Sequence, residues 1–362
     1  MKTKLIFKDG TTYEAKSFGA TVSVAGEVVF ATGMTGYPEA LTDPSYKGQI
    51  LVMTYPLIGN YGVPDPTKWE SEHICVSGLI VSDYIDTPSH FQSRHTLAQW
   101  FKDENLPLIE IKDTRTIAQK IRTLGTMLGK IIIEKDIPFY DPNIHNLVDQ
   151  VSTKKIYRIK APGNPKKTVI LLDCGTKRNI IKNLSKRGIN VIVVPWDTDP
   201  FSFEFQKKIN NSSFVIRHSS FKFDALVISN GPGDPKTITP TIATIKKALK
   251  NKIPVLGICL GHQILTLAAG GDTRKLKYGH RSQNQPCILK GTNRCIITTQ
   301  NHGFEVSKIP PNFNTWFTNA NDNSNEGIIH KKLPFMSIQF HPEAAPGPQD
   351  AEWIFDYFLK RI

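Results

Sequence analysis

KIPVLGICLGHQILTLAAGG, Lys252 to Gly271, is the stretch whose reading decides the fold of the second half of this chain. Ile253 to Ile258 is a short apolar run rich in Ile and Val, the pattern of a strand buried on both faces. Cys259 follows at once between Gly257 and Gly261, and His262 to Ala269 reads as the start of a helix. A nucleophile on a sharp strand-to-helix turn needs glycines on both sides, because the bend crowds any Cβ there. A helix beginning just after the sulfur favours the thiolate over the thiol. A free cysteine is also commonly a buried packing residue, so a base and an oxyanion hole are needed elsewhere in the chain.

Working outward, residues 168–362 alternate strand and helix, which predicts a mostly parallel α/β sheet. Thr168 to Asp173, Asn190 to Pro195, Asp224 to Ser229 and Phe335 to Phe340 read as strands; Lys177 to Arg187 and Thr239 to Lys250 read as helices. In such sheets the loops at the carboxyl ends of strands converge on the site. NGPGDP (Asn230 to Pro235), the Cys259 turn and His341 all fall at such ends.

The first half reads differently. Lys4 to Phe7, Thr12 to Ala15, Glu27 to Ala31 and Gln49 to Thr54 are strand-like, and Asp9-Gly10 is a hairpin signal. The Gly-, Pro- and Asn-dense stretch Thr32 to Gly62 predicts an exposed loop. From Pro88 to Gly125 the pattern predicts a helix over HFQSRHTLAQWFKDENL, a strand at PLIEI and a helix over DTRTIAQKIRTLG capped by Asp113 or Thr114; Gly129 to Glu134 returns to strand. The expected organisation is therefore a β-rich α/β domain over 1–150, a basic linker over 151–167 and the parallel α/β domain over 168–362.

Composition bounds the rest. A chain of 362 residues with 40% hydrophobic and 21% charged residues has ample core for two domains. No apolar run approaches a membrane span and MKTKLIFKDG has no signal-peptide core, so no membrane is expected. Five cysteines without regular spacing argue for reduced thiols, a cytoplasmic location and no zinc site. The net charge of +13 is concentrated between Lys154 and Arg187, where Asp173 is the only acidic residue. No aromatic-interleaved basic motif or recognition helix accompanies it, so it reads as a solvated face or a docking surface for an acidic partner, not as a nucleic-acid site.

Cys259, His341 and Glu343 have the residue types of a nucleophile, a general base and a carboxylate that orients the base. Glu343 is two residues beyond His341, on the same side if the backbone stays extended. Backbone N–H groups of Leu260 and Gly233 can form the oxyanion hole. Taken singly, His341 can be a packing residue and Glu343 a solvated charge; placed together on strand ends of one sheet they read as catalytic.

GICLGHQ, SNGPGDP and HPE, in that order, resemble the triad-type class I glutamine amidotransferase domain over roughly residues 168 to 360. That resemblance implies hydrolysis of the glutamine side-chain amide through a γ-glutamyl thioester on Cys259, with ammonia passed to a partner site. GEVVFATGMTGYPEALTDPSYKGQI, TYPLIGNYG, DTR, DCGTKRNI, QNHGF and HPEAAPGPQDA are similar to the small subunit of carbamoyl phosphate synthetases, and extend the resemblance over nearly the whole chain. By motif position it implies L-glutamine contacts from Ser45, Gly231, Gly233, Leu260, Gln263, Asn301, Gly303 and Phe304. Each also has a plainer reading: Ser45 in the DPSY turn, Gln263 facing solvent, Phe304 in the core. GHRSQNQP (Gly279 to Pro286) and Cys174 depart from the family pattern, which reads closer to GHRGANHP and an aromatic; altered packing is expected there.

The resemblance further implies a large-subunit partner, in a heterodimer or a higher oligomer of heterodimers, making carbamoyl phosphate from bicarbonate and ATP for pyrimidine and arginine synthesis. This chain has no GxxxxGK[ST] loop, so no cofactor is expected on it, and ATP and Mg are expected on the large subunit. The alternatives are a free-standing γ-glutamyl hydrolase, which would not need residues 1 to 150, and a non-catalytic docking or regulatory subunit.

Overall fold

The computed structural model describes residues 3–165, 167–210 and 222–362. The chain divides into two compact units, residues 1–147 with 276–283 and 345–347, and residues 148–275 with 284–344 and 348–362.

In the first unit the elements are β1 (Lys4–Phe7), β2 (Thr12–Glu14), β3 (Lys16–Ser17), β4 (Val24–Ala31), α1 (Tyr37–Leu41), β5 (Gln49–Met53), β6 (Gly78–Val81), α2 (Leu97–Asp103), β7 (Leu108–Glu110), α3 (Thr114–Leu124) and β8 (Met127–Ile132). They form an eight-stranded sheet in the order β2-β1-β8-β4-β5-β6-β7-β3. β4 to β7 run parallel, and the flanking strands are antiparallel. The period of two sends Leu51 and Met53 to one face, beside the Trp69–Trp100 ring pair, and Ile50 and Val52 to the other, beside Ile117 and Ile121 of α3.

Two expectations for this unit change. The stretch 32–62 is not an exposed loop: it folds α1, a 3-10 turn at Pro44–Tyr46 and β5, and it buries Tyr37, Leu41 and Tyr46. The Tyr37 hydroxyl donates to the Gly62 carbonyl at 2.6 Å, which closes the segment on itself. The helix read from His90 starts only at Leu97, because the Thr96 hydroxyl caps it by accepting the Gln99 N–H at 3.1 Å. Gln283, one of the departures from the family pattern, donates through Nε2 to the Thr35 carbonyl.

The second unit comprises α4 (Val148–Val151), β9 (Tyr157–Ile159), β10 (Lys167–Asp173), α5 (Arg178–Lys186), β11 (Ile189–Pro195), α6 (Phe203–Asn210), β12 (Ala225–Ile228), α7 (Thr239–Lys250), β13 (Val255–Ile258), α8 (Leu260–Ala268), β14 (Asp272–Leu289, except residues 276–283), β15 (Cys295–Lys308), β16 (Phe313–Asn319), β17 (Asn325–His330), β18 (Phe335–Ile338) and α9 (Trp353–Leu359). Its sheet contains a parallel core ordered β18-β13-β12-β10-β11. β9 pairs antiparallel on β11, and β17, β16 and β14 extend the other side antiparallel. The core strands are buried on both faces, as continuous Val/Ile/Leu runs require. Val169 and Leu171 face a cluster with α5 and α9; Ile170 and Leu172 face one with α7 and α8.

The stretch 151–167 therefore contains a sheet strand, β9, where a linker was expected; Lys166 lies outside the described residues. Among the described residues no helix is long and apolar enough to cross a membrane.

Candidate active site

The carboxyl ends of β10, β12, β13 and β18 supply the side chains of the site. Cys259 is the N-cap of α8, with φ 54 and ψ −103, a conformation that L residues rarely adopt. Its backbone N–H donates to the Ile338 carbonyl at 2.8 Å, and the Gly261 N–H donates to the Ser229 carbonyl at 3.1 Å, so both neighbouring strands hold the turn. The two glycines are sterically required. A Cβ on Gly257 would overlap the Gly261 carbonyl, and one on Gly261 the Ile228 carbonyl oxygen. The thiol is 2% exposed and donates to the Asn301 carbonyl at 3.6 Å.

His341 follows β18 and is bridged to Thr299, whose carbonyl accepts its N–H at 2.9 Å. Its Nδ1 lies 2.6 Å from Glu343 Oε1. A carboxylate only accepts, so Nδ1 is the donor and Nε2 is the nitrogen left to take a proton. Nε2 is buried and without a hydrogen-bond partner among the described residues. Burial pushes the imidazole down, but the Glu343 carboxylate and the Cys259 thiol outweigh burial and the opposing Lys177 charge, and the His341 pKa is raised. Burial likewise works against the Glu343 carboxylate, but Lys177 and His341 overcome it and hold it ionised.

The carboxylate reaches His341 by a route other than an extended strand. The chain turns at Pro342, with the Ala344 N–H on the His341 carbonyl at 3.3 Å, and this turn folds Glu343 back onto the ring. Lys177, read from sequence only as a helix start, is buried there. Its Nζ lies 3.2 Å from Glu343 Oε1 and donates to the Ala344 carbonyl at 2.6 Å. Asn179 Nδ2 donates to the Glu343 carbonyl. The only available signal for Lys177 was its place at a strand end, and a basic stretch disguised it as a solvated charge.

The glycine-rich loop after β12 is tightly built. Gly231 has no room for a Cβ against the Cys174 carbonyl, and Gly233 has φ 87. Asn230 Oδ1 accepts the Lys177 N–H at 3.1 Å, which ties this loop to the start of α5. Cys174 is fully buried, and burial pushes its thiol up, so it is a packing residue.

Leu260 opens α8 and Gln263 lies on it; Asn301, Gly303 and Phe304 lie on β15. Gln263 does not face solvent: it is 2% exposed, and its Nε2 donates to the Phe304 carbonyl at 2.9 Å and to Gln339 Oε1 at 3.0 Å. Gln339, missed by sequence reading inside an apolar strand pattern, has its Nε2 3.7 Å from Cys259 Sγ. Ser45 belongs to the first unit, buried in the Pro44–Tyr46 turn with its N–H on Asp43 Oδ1 at 2.9 Å.

A strained cysteine at a strand-to-helix elbow, a carboxylate-oriented histidine at the next strand end and a parallel α/β sheet define a class: residues 170–361 match the family model for glutamine amidotransferase class-I. Residues 5–131 match that for the carbamoyl-phosphate synthase small chain, CPSase domain. This chain belongs to the carbamoyl phosphate synthase small chain family. It is 44% identical to the carbamoyl phosphate synthase small chain of Saccharolobus solfataricus, over 100% of this chain and 98% of that one. It is also 44% identical to the carbamoyl phosphate synthase arginine-specific small chain of Saccharomyces cerevisiae, over 100% of this chain and 89% of that one. The multifunctional protein CAD of Squalus acanthias is 48% identical over 98% of this chain, which spans only 16% of that protein's length.

Proposed function

We propose that this chain is the glutaminase part of a glutamine-hydrolysing carbamoyl phosphate synthase. His341 Nε2 takes the Cys259 proton as the sulfur attacks the side-chain carbonyl carbon of L-glutamine. The oxyanion that forms is held by the N–H groups of Leu260 and Gly233. Collapse of the tetrahedral intermediate breaks the C–N bond, and His341 returns the proton to the departing nitrogen, which leaves as ammonia. Water, deprotonated by the same imidazole, then attacks the γ-glutamyl thioester, releasing glutamate and regenerating the thiol.

Glu343 fixes the His341 tautomer and balances the imidazolium; Lys177 keeps Glu343 ionised. The L-glutamine contacts are those the family resemblance implies: Ser45, Gly231, Gly233, Leu260, Gln263, Asn301, Gly303 and Phe304. Ammonia goes to a large subunit, or to large-subunit domains fused to the chain, which bind ATP and Mg and make carbamoyl phosphate from bicarbonate. Five unpaired cysteines suit a cytoplasmic setting.

The observation that carries this reading is the 2.6 Å His341–Glu343 pair in the same unit as the Cys259 elbow. The test is glutamine hydrolysis by the chain with and without a large synthetase subunit. Weak activity that rises with the partner and vanishes in Cys259→Ser supports it. Full activity indifferent to the partner would favour a free-standing hydrolase, and none in either condition a docking subunit.

A further inference from the structure

Cys259 gains negative charge as His341 takes its proton, and the sulfur that carries it is buried. Its one carbonyl neighbour, Asn301 O at 3.6 Å, suits the thiol but not the thiolate, because two electron-rich atoms then face each other. Besides His341, which takes the proton, the side-chain donor at the sulfur is Gln339 Nε2 at 3.7 Å. Which end of that amide faces the sulfur is decided by a chain of hydrogen bonds that begins at a backbone atom. The Phe304 carbonyl can only accept, so the end of the Gln263 amide 2.9 Å from it is Nε2. That same NH2 group lies 3.0 Å from the Gln339 amide, so the Gln339 atom it meets is the acceptor Oε1. Gln339 Nε2 is then left pointing at Cys259 Sγ.

The backbone of Gln339 is pinned as well, its N–H donating to the Glu326 carbonyl at 2.9 Å, and the residue is fully buried. Gln339 also stands two residues before His341, so one strand end supplies both the base and this donor.

We propose that Gln339 is a further residue of the active site: a side-chain donor to the Cys259 thiolate, aimed by Gln263. The inference rests on the glutaminase reading for its role in turnover, but the effect on the sulfur does not need glutamine. An N–H···S⁻ contact is charge-assisted, and at a sulfur this buried its removal is costly. Gln263 thereby acquires a task in the free enzyme, before any substrate contact.

The experiment is alkylation of the full-length chain by iodoacetamide across pH, read by mass spectrometry at the Cys259 peptide, with Cys259→Ser as background. Gln339→Met keeps the length and removes the donor; Gln339→Glu keeps the shape and presents an oxygen. Circular dichroism and a thermal melt establish folding. At neutral pH, alkylation is expected to slow by about tenfold or more in Gln339→Met, and further in Gln339→Glu, with both profiles displaced to higher pH. Gln263→Met, which frees the Gln339 amide to rotate, should move the profile in the same direction by less. In glutamine hydrolysis Gln339→Met should lower kcat while leaving KM within about twofold. Folded variants with unchanged alkylation profiles would overturn the proposal. Wild-type chain without glutaminase activity would overturn the glutaminase reading instead, while the alkylation series would still report on Gln339.

Discussion

The starts of α2 and α3 in the first unit and of α5, α7, α8 and α9 in the second are built on different terms. In the first unit α2 and α3 open with side-chain caps: the Thr96 hydroxyl accepts the Gln99 N–H, and Asp113 accepts from both the N–H and the hydroxyl of Thr116, at 2.9 and 2.5 Å. In the second unit α5, α7, α8 and α9 have no side-chain cap at all, and the N-cap positions of α5 and α8 hold Lys177 and Cys259. A side-chain cap is worth about 1 kcal/mol, so these four helices forgo that stabilisation, whereas α6 keeps it through Ser202 Oγ, which accepts the Phe205 N–H at 3.1 Å. Two of those positions instead present a sulfur and an ammonium group. The cost is offset by the buried parallel sheet, whose glycines let the turns close.

Breaking a turn that depends on the sheet should have the largest effect. Gly261→Ala puts a methyl group on the Ile228 carbonyl oxygen. We expect loss of several kcal/mol in denaturant unfolding, or no folded protein, and no glutaminase activity; a stable and active variant would show that the elbow is slack. Lys177→Met comes next. It leaves the Glu343 carboxylate buried without its cation, which should destabilise the chain by about 3–5 kcal/mol and raise the Glu343 pKa.

His262, in the first turn of α8, sharpens the comparison through pH. Burial pushes its imidazole down to about 3, and its Nδ1 is 2.9 Å from Ser337 Oγ. The folded chain therefore keeps it neutral, whereas the unfolded chain protonates it near pH 6.5. Its contribution to stability is complete above pH 6.5 and falls as the pH drops from there toward 3. His262→Gln should flatten that limb of the stability profile, measured by urea unfolding at several pH values. The smallest effect is expected at an ordinary cap: Asp113→Ala should cost about 1 kcal/mol and leave glutamine hydrolysis unchanged.

Most of the second unit was legible from the chain itself because parallel strands are buried on both faces and appear as unbroken apolar runs. Val169 to Leu172 and Ile192 to Val194 could hardly be read otherwise. β9 was not legible: as an edge strand it pairs on one side only, and its Tyr157 and Arg158 look like linker. The long strands β14 and β15 carry polar residues such as Arg281, Ser282, Gln300 and His302 at buried positions, so alternation gave no guide. In the site, Cys259 and His341 announced themselves by flanking glycines and a strand end. Lys177, Asn179 and Gln339 did not, because their roles arise from where Glu343 and Gln263 come to lie, and no spacing encodes that. The turn at Pro342 that delivers Glu343 to the imidazole is likewise visible only in three dimensions.

The most direct test of the account is to quench the chain with acid during turnover of glutamine and weigh its peptides. The account predicts a γ-glutamyl adduct confined to the Cys259 peptide and absent from Cys259→Ala. Glutamine hydrolysis that proceeds with no adduct on Cys259, and survives in Cys259→Ser, would contradict it.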